Sequence, residues 1–195
     1  MSTAIPLFRR SRPRSRTGWI GVDLGSQSLK LAQLEYQSGR MQIAAASIIP
    51  VPEGRFDESR ADWLAKTLRE KVTRRRGFQG RAAACALSMS VAECRSMNIP
   101  PGSSQERREM IALELAEVGA PPGAAGTAGS VAFDFWDAWP VPGDTNSNAS
   151  VLSVSEDVTI LVADALYRAG LDCSVLDGGP FPLSRSVDLV ADEST

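Results

Sequence analysis

Histidine is absent from the chain. Its absence excludes Ser-His-Asp and Cys-His catalysis, histidine-ligated metals and histidine pH switching together. Cysteine is scarce: Cys85, Cys94 and Cys173 lack metal-ligand spacing, and an odd number does not build a disulfide framework. They read as buried thiols in a reducing compartment, without the base that would activate a nucleophile. Long apolar runs are also missing. The longest, such as Ile43 to Pro52, are interrupted by Ala or Pro. They fall short of the roughly 20 residues that span a bilayer as a helix.

What is present fits a globular protein: 43% hydrophobic and 23% charged residues. The net charge of −2 is unevenly spread. Arg9, Arg10, Arg12, Arg14 and Arg16 crowd residues 1–16 with no acid among them, leaving the rest of the chain acidic. A Ser/Arg/Pro-rich tail of this kind has nothing to bury and reads as a solvated leader. Charge contact with anionic lipid or nucleic acid, and a transit peptide, are the alternatives.

Along the chain, Trp19 to Leu24 is a short apolar run, followed by the Gly25-Ser26-Gln27-Ser28 turn and a second run, Leu29 to Glu35. Gly39 suits a positive-φ turn, after which Met41, Ile43, Ala45, Ser47 and Ile49 alternate as in a half-buried strand. The first fifty residues therefore read as an antiparallel three-strand meander. A helix from about Ser59 to Arg75 follows, with Ala61, Leu64, Ala65, Leu68 and Val72 on one stripe. Arg74 to Arg76 and Gly77 are placed to close it. Strands are expected at Ala82–Ser88, Ala92–Ile99, Val131–Trp136, Val151–Val154 and Cys173–Asp177. Ser103 and Glu106 have capping-box spacing for a helix to about Val118, and a last helix runs from about Glu156 to Ala169. Pro121–Gly129 and Gly143–Asn148 read as loops.

Gly21-Val-Asp23-Leu-Gly25-Ser26-Gln27-Ser28 is the one stretch with chemistry. A carboxylate at a strand end before a glycine turn suits a hydrated Mg²⁺ held through water. Amides from Gly25 to Ser28 could cluster as phosphate donors, with Lys30 adding charge if it points the same way. The competing reading is a plain tight hairpin in which Gly25 takes positive φ and Asp23 caps the turn.

In order along the chain, this hairpin, a third strand, a helix and an embedded α+β unit resemble the actin-like ATPases. Ile20-Gly-Val-Asp-Leu-Gly-Ser26 with Lys30-Leu31 and Leu34-Glu35 is similar to the opening of the PilM family of type IV pilus assembly proteins. Met97-Asn-Ile-Pro-Pro-Gly102, Val131-Ala-Phe-Asp-Phe135, Ala169-Gly-Leu171 and Val175-Leu-Asp177 are similar to later parts of that family. The resemblance covers most of residues 18–185 and only the N-terminal half of the family.

The resemblance implies an α/β (α+β) class: a truncated actin-like first lobe with an inserted, ferredoxin-like subdomain. That subdomain is expected to run strand-strand-helix-strand-strand-helix-strand. The expected partition is a basic tail at 1–16, the first lobe at 17–81 plus 171–187, the insert at 82–170 and a frayed acidic end at 188–195. The resemblance further implies a cytoplasmic protein, peripheral to the inner membrane, that docks the cytoplasmic tail of a PilN-like inner-membrane protein beside the insert. Other pilus or secretion assembly proteins are expected partners, and nucleic acid is not. A type II secretion domain of the GspL type, and an ATPase completed by another chain, are the alternatives.

Cofactor-site candidates are Asp23, Gly25, Ser26, Gln27, Ser28 and Lys30, with Asp23 as a water-mediated Mg²⁺ ligand only if nucleotide binds. No second phosphate loop or adenosine pocket is found, because Pro180 and Pro182 spoil Asp177-Gly178-Gly179 as a strand–turn–strand. One phosphate loop supplies a few charge-assisted hydrogen bonds of about 1.5–3 kcal/mol each, largely offset by desolvation and ordering. Mg·ATP binding is therefore expected to be no tighter than millimolar, near about −4 kcal/mol. The chain alone is expected to carry no cofactor and no enzymatic activity.

Overall fold

The structure, a computed structural model, describes residues 16–73, 77–118, 130–137, 148–179 and 182. The meander is present as β1 (Arg16–Leu24), β2 (Ser28–Gln37) and β3 (Arg40–Pro50), paired antiparallel in that order. Gly39 takes φ +82° at the second turn, preceded by Ser38 at +54°. The helix α1 (Glu58–Thr73) buries Ala61, Leu64, Ala65 and Leu68, as its apolar spacing dictates. Gly77 has φ +96°, so its conformation is one that side chains rarely adopt. Arg74 to Arg76 lie outside the described residues.

Next come β4 (Ala82–Leu87), β5 (Ala92–Met97), α2 (Ser104–Val118), β6 (Val131–Asp137), β7 (Ala149–Ser155), α3 (Glu156–Arg168) and β8 (Asp172–Gly178). The five-stranded sheet has the order β3-β2-β1-β4-β8, and the three-stranded sheet the order β5-β7-β6. This corrects the expected grouping. β4 is parallel to β1, with Val22 opposite Cys85, so it belongs to the first sheet. β8 continues that sheet, parallel to β4. The embedded unit has one helix and three strands, beginning at β5 and ending with β7. α3 instead packs beside α1, where Arg168 bonds Asp62 at 2.6 Å.

The reason lies in the packing. Ala83, Cys85 and Leu87 alternate inward with Ile20 and Val22, and Val158, Val162, Ala165 and Leu166 of α3 complete the same core. Gly170 turns at φ +85° to send the chain from α3 into β8. The smaller sheet builds its own core from Met97, Ile99, Ile111, Leu115, Ala149 and Val151. Arg107 and Arg108 tie α2 to β6, stacking on Phe135 and Phe133 and pairing with Asp137 and Asp134. The expected loop at Pro121–Gly129, most of that at Gly143–Asn148, and the tails at 1–15 and 183–195 lie outside the described residues. No described helix is long and apolar enough to cross a membrane.

Candidate functional site

β1 and β2 bring the six sequence-predicted residues together at one end of the larger sheet. Asp23 and Lys30 are directly opposite in the β1–β2 ladder. Lys30 therefore does point the same way as Asp23, and its Nζ donates to Asp23 Oδ2 at 2.7 Å. Both side chains are about half exposed, so the pair is a solvated one. A cation approaching Asp23 has to displace or share with Lys30.

The turn itself is tightly held. Gly25 N–H donates to the Ser28 carbonyl at 3.1 Å, Val51 N–H donates to the Gln27 carbonyl at 3.0 Å, and Arg60 Nη2 donates to the Ser26 carbonyl at 3.3 Å. One of the four amides proposed as phosphate donors thus closes the hairpin instead. Gly25 does not take positive φ, contrary to the hairpin reading. Glycine is required for another reason: a Cβ there would stand 2.8 Å from the Ser28 carbonyl oxygen. Asp177 sits in the register row of Ala86 and Asp23, two strands away. That is about 10 Å at the usual strand spacing, too far for both carboxylates to grip one bare Mg²⁺. Asp177 Oδ1 accepts the N–H of Gly178.

Arg60, in the first turn of α1, is a residue that the sequence does not single out. It stacks on Phe56 and donates to the Gly54 carbonyl at 2.6 Å, joining the loop before α1 to the hairpin turn. Partial burial pulls its pKa down, and Asp57 opposes that shift. Asp57 also accepts the Arg60 N–H at 3.0 Å, capping the first turn of α1.

The second feature of the molecule is a groove of about 380 Å³ between the first turns of α1 and α3. Phe56, Val158, Ile160 and Leu161 give it an apolar floor, and Asp57, Glu58 and Asp157 an acidic rim. The groove lies where β7 leaves the small sheet, since Ser155 is both the end of β7 and part of its lining. Sequence reading missed it. Its available signal was a pair of helices that each open on adjacent acids, Asp57-Glu58 and Glu156-Asp157. The three thiols are not reactive features: burial raises the pKa of Cys85, Cys94 and Cys173 alike. Only Cys85 is fully buried, so the expectation of three buried thiols holds for one.

No protein-family model matches the sequence, and no curated protein matches it. Solved structures do share the fold. The chain is similar to a PilM-PilN type IV pilus biogenesis complex, with TM-score 0.65 and 23% identity over 84% of this chain and 48% of that one. It is similar to the cytoplasmic domain of EpsL, an inner membrane component of the type II secretion system of Vibrio cholerae. There the TM-score is 0.51 and the identity 17%, over 83% of this chain and 57% of that one. The chain spans about half the length of these relatives.

Proposed function

We propose that the chain is a docking module of a type IV pilus or related secretion assembly, binding the cytoplasmic tail of a PilN-like inner-membrane protein. The observation that carries this reading is the acid-rimmed apolar groove between α1 and α3, beside the small sheet, in a fold shared with a PilM-PilN complex. Two acidic first turns and four apolar side chains suit a short segment that alternates apolar and basic residues. In this reading the protein works at the cytoplasmic face of the membrane, recruited through its partner.

In the same reading the chain is not an enzyme, and Asp23 to Lys30 serve mainly to fix the hairpin against α1. The Asp23–Lys30 pair and the Gly25–Ser28 hydrogen bond close the hairpin, and Arg60 of α1 holds its Ser26 carbonyl, which favours that role. Nucleotide is not required for docking.

The test is a titration with synthetic cytoplasmic tails of PilN-like proteins, followed by fluorescence anisotropy. Saturable binding is expected, weakened about tenfold or more by Ile160→Asp or Leu161→Asp on the groove floor. Saturable binding unchanged by both substitutions would place docking elsewhere.

A further inference from the structure

Of the stretches outside the described residues, only 1–15 combines large apolar side chains with several arginines. Ala4-Ile-Pro-Leu-Phe8 comes first, then Arg9, Arg10, Arg12 and Arg14, with no acid among them. Ile5, Leu7 and Phe8 are too few for a core of their own but enough to fill a groove. Pro6 and Pro13 fix their own φ and bias the residues before them toward extended backbone. Less conformational freedom is then lost when the segment is laid down on a surface.

The groove between α1 and α3 has the matching character. Ile160 on its floor is 59% exposed although large and apolar. Residues 53–60 carry three acids and two arginines, and Glu156 and Asp157 add two more acids, a local charge of −3. The two helix N-termini that meet here contribute about +0.5 each, so the rim stays negative at about −2. A volume of about 380 Å³ takes a few side chains and not a folded element.

The tail is long enough to reach it. The tail joins β1 at Arg16, the end of that strand away from the Gly25–Ser28 turn. The groove lies at the turn's end, where Arg60 of α1 holds the Ser26 carbonyl. β1 is about 26 Å long at about 3.3 Å per step, and a layer spacing of about 10 Å brings the distance to about 30 Å. Ile5 stands eleven residues before Arg16 and reaches about 34–40 Å when extended, and Leu7 about 28–32 Å.

We infer that residues 4–14 fold back over this groove, with Ile5 and Leu7 on its floor and Arg9 and Arg10 at its acidic rim. The tail is then a built-in competitor for the partner segment. That consequence rests on the docking reading, whereas the occupancy itself does not. A short tether holds the tail at an effective concentration in the millimolar range. An intrinsic affinity of only about 0.1 mM therefore keeps the groove closed about ten to one, and weakens a competitor about tenfold.

Amide NMR spectra of the full chain test the occupancy with no partner present. One variant carries Arg9→Ser, Arg10→Ser, Arg12→Ser and Arg14→Ser, and a second carries Ile5→Ser and Leu7→Ser. Both are expected to shift the amides of Asp57–Ala61 and Asp157–Leu161, far in sequence from the substitutions. Both are also expected to bind a PilN-like tail about tenfold more tightly than the parent chain in fluorescence anisotropy. Unchanged amides in the two turns overturn the inference, even if the parent chain binds anionic vesicles through its arginines. Shifts from the arginine variant alone overturn seating on the floor, and shifts that vanish on dilution assign the groove to the tail of a second copy. Amide shifts without any binding of a PilN-like tail leave the occupancy standing and sink the docking reading. Tail binding without amide shifts does the reverse.

Discussion

Gln33 is an amide side chain held among apolar residues, and it answers three backbone groups at once. Its Nε2 donates to the Gly18 carbonyl at 2.8 Å and the Gln79 carbonyl at 2.7 Å, and its Oε1 accepts the Gln79 N–H at 2.7 Å. It thereby fastens the irregular start of β1 to the loop ahead of β4. Gln33→Leu keeps the volume and orphans all three groups, each worth about 1–3 kcal/mol when buried without a partner. A loss near 3 kcal/mol is expected in urea unfolding, and a loss under about 1 kcal/mol would contradict this role. Nothing in the sequence marks Gln33, because a polar residue in a strand ordinarily faces water. Asp23 and Lys30 are the opposite case. Their spacing across a short turn was legible, and the ladder brings them face to face. What spacing could not say is that the two charges engage each other.

Among the elements, α2 has the best-marked beginning. Ser103 Oγ donates to Glu106 Oε2 at 2.8 Å, Ser103 N–H donates to the same oxygen at 2.8 Å, and Glu106 N–H donates to Ser103 Oγ at 3.3 Å. The expected capping box is therefore present, and the Ser103 N–H holds the Glu106 carboxyl below the usual carboxylate range. A depressed carboxyl pKa contributes stability above the unfolded value and loses it as pH falls through the folded one. Melting temperature should therefore drop less between neutral and acid pH in Glu106→Gln than in the parent chain, measured by circular dichroism. An equal drop in both would remove the capping box from the acid response.

The other elements show why local patterning stops short of topology. Ala82–Leu87 is apolar throughout, so its sequence states neither which side chains face inward nor which strand lies alongside. β4 pairs with β1 across some sixty residues of sequence, so it was grouped with its neighbour β5 instead. The apolar stripe of α3, Val158, Val162 and Ala165, fits either sheet equally well. Contact with α1, not periodicity, decides the matter.

At the scale of the molecule, five strands and two helices make one core, and three strands and α2 make another. The overall class and the hairpin, helix and embedded-sheet order were legible because turn residues and periodicities run in that order along the chain. The groove was not legible, because its walls come from residues a hundred positions apart that meet only when α3 returns to α1. The central claim is that this groove receives the partner tail. Hydrogen exchange of the full chain, with and without a saturating PilN-like tail, tests it most directly. Slowed exchange is expected in the first turns of α1 and α3, around Asp57 to Ala61 and Asp157 to Leu161. Slowing confined to Gly25–Lys30 or to β3, with those two turns unchanged, would contradict the account.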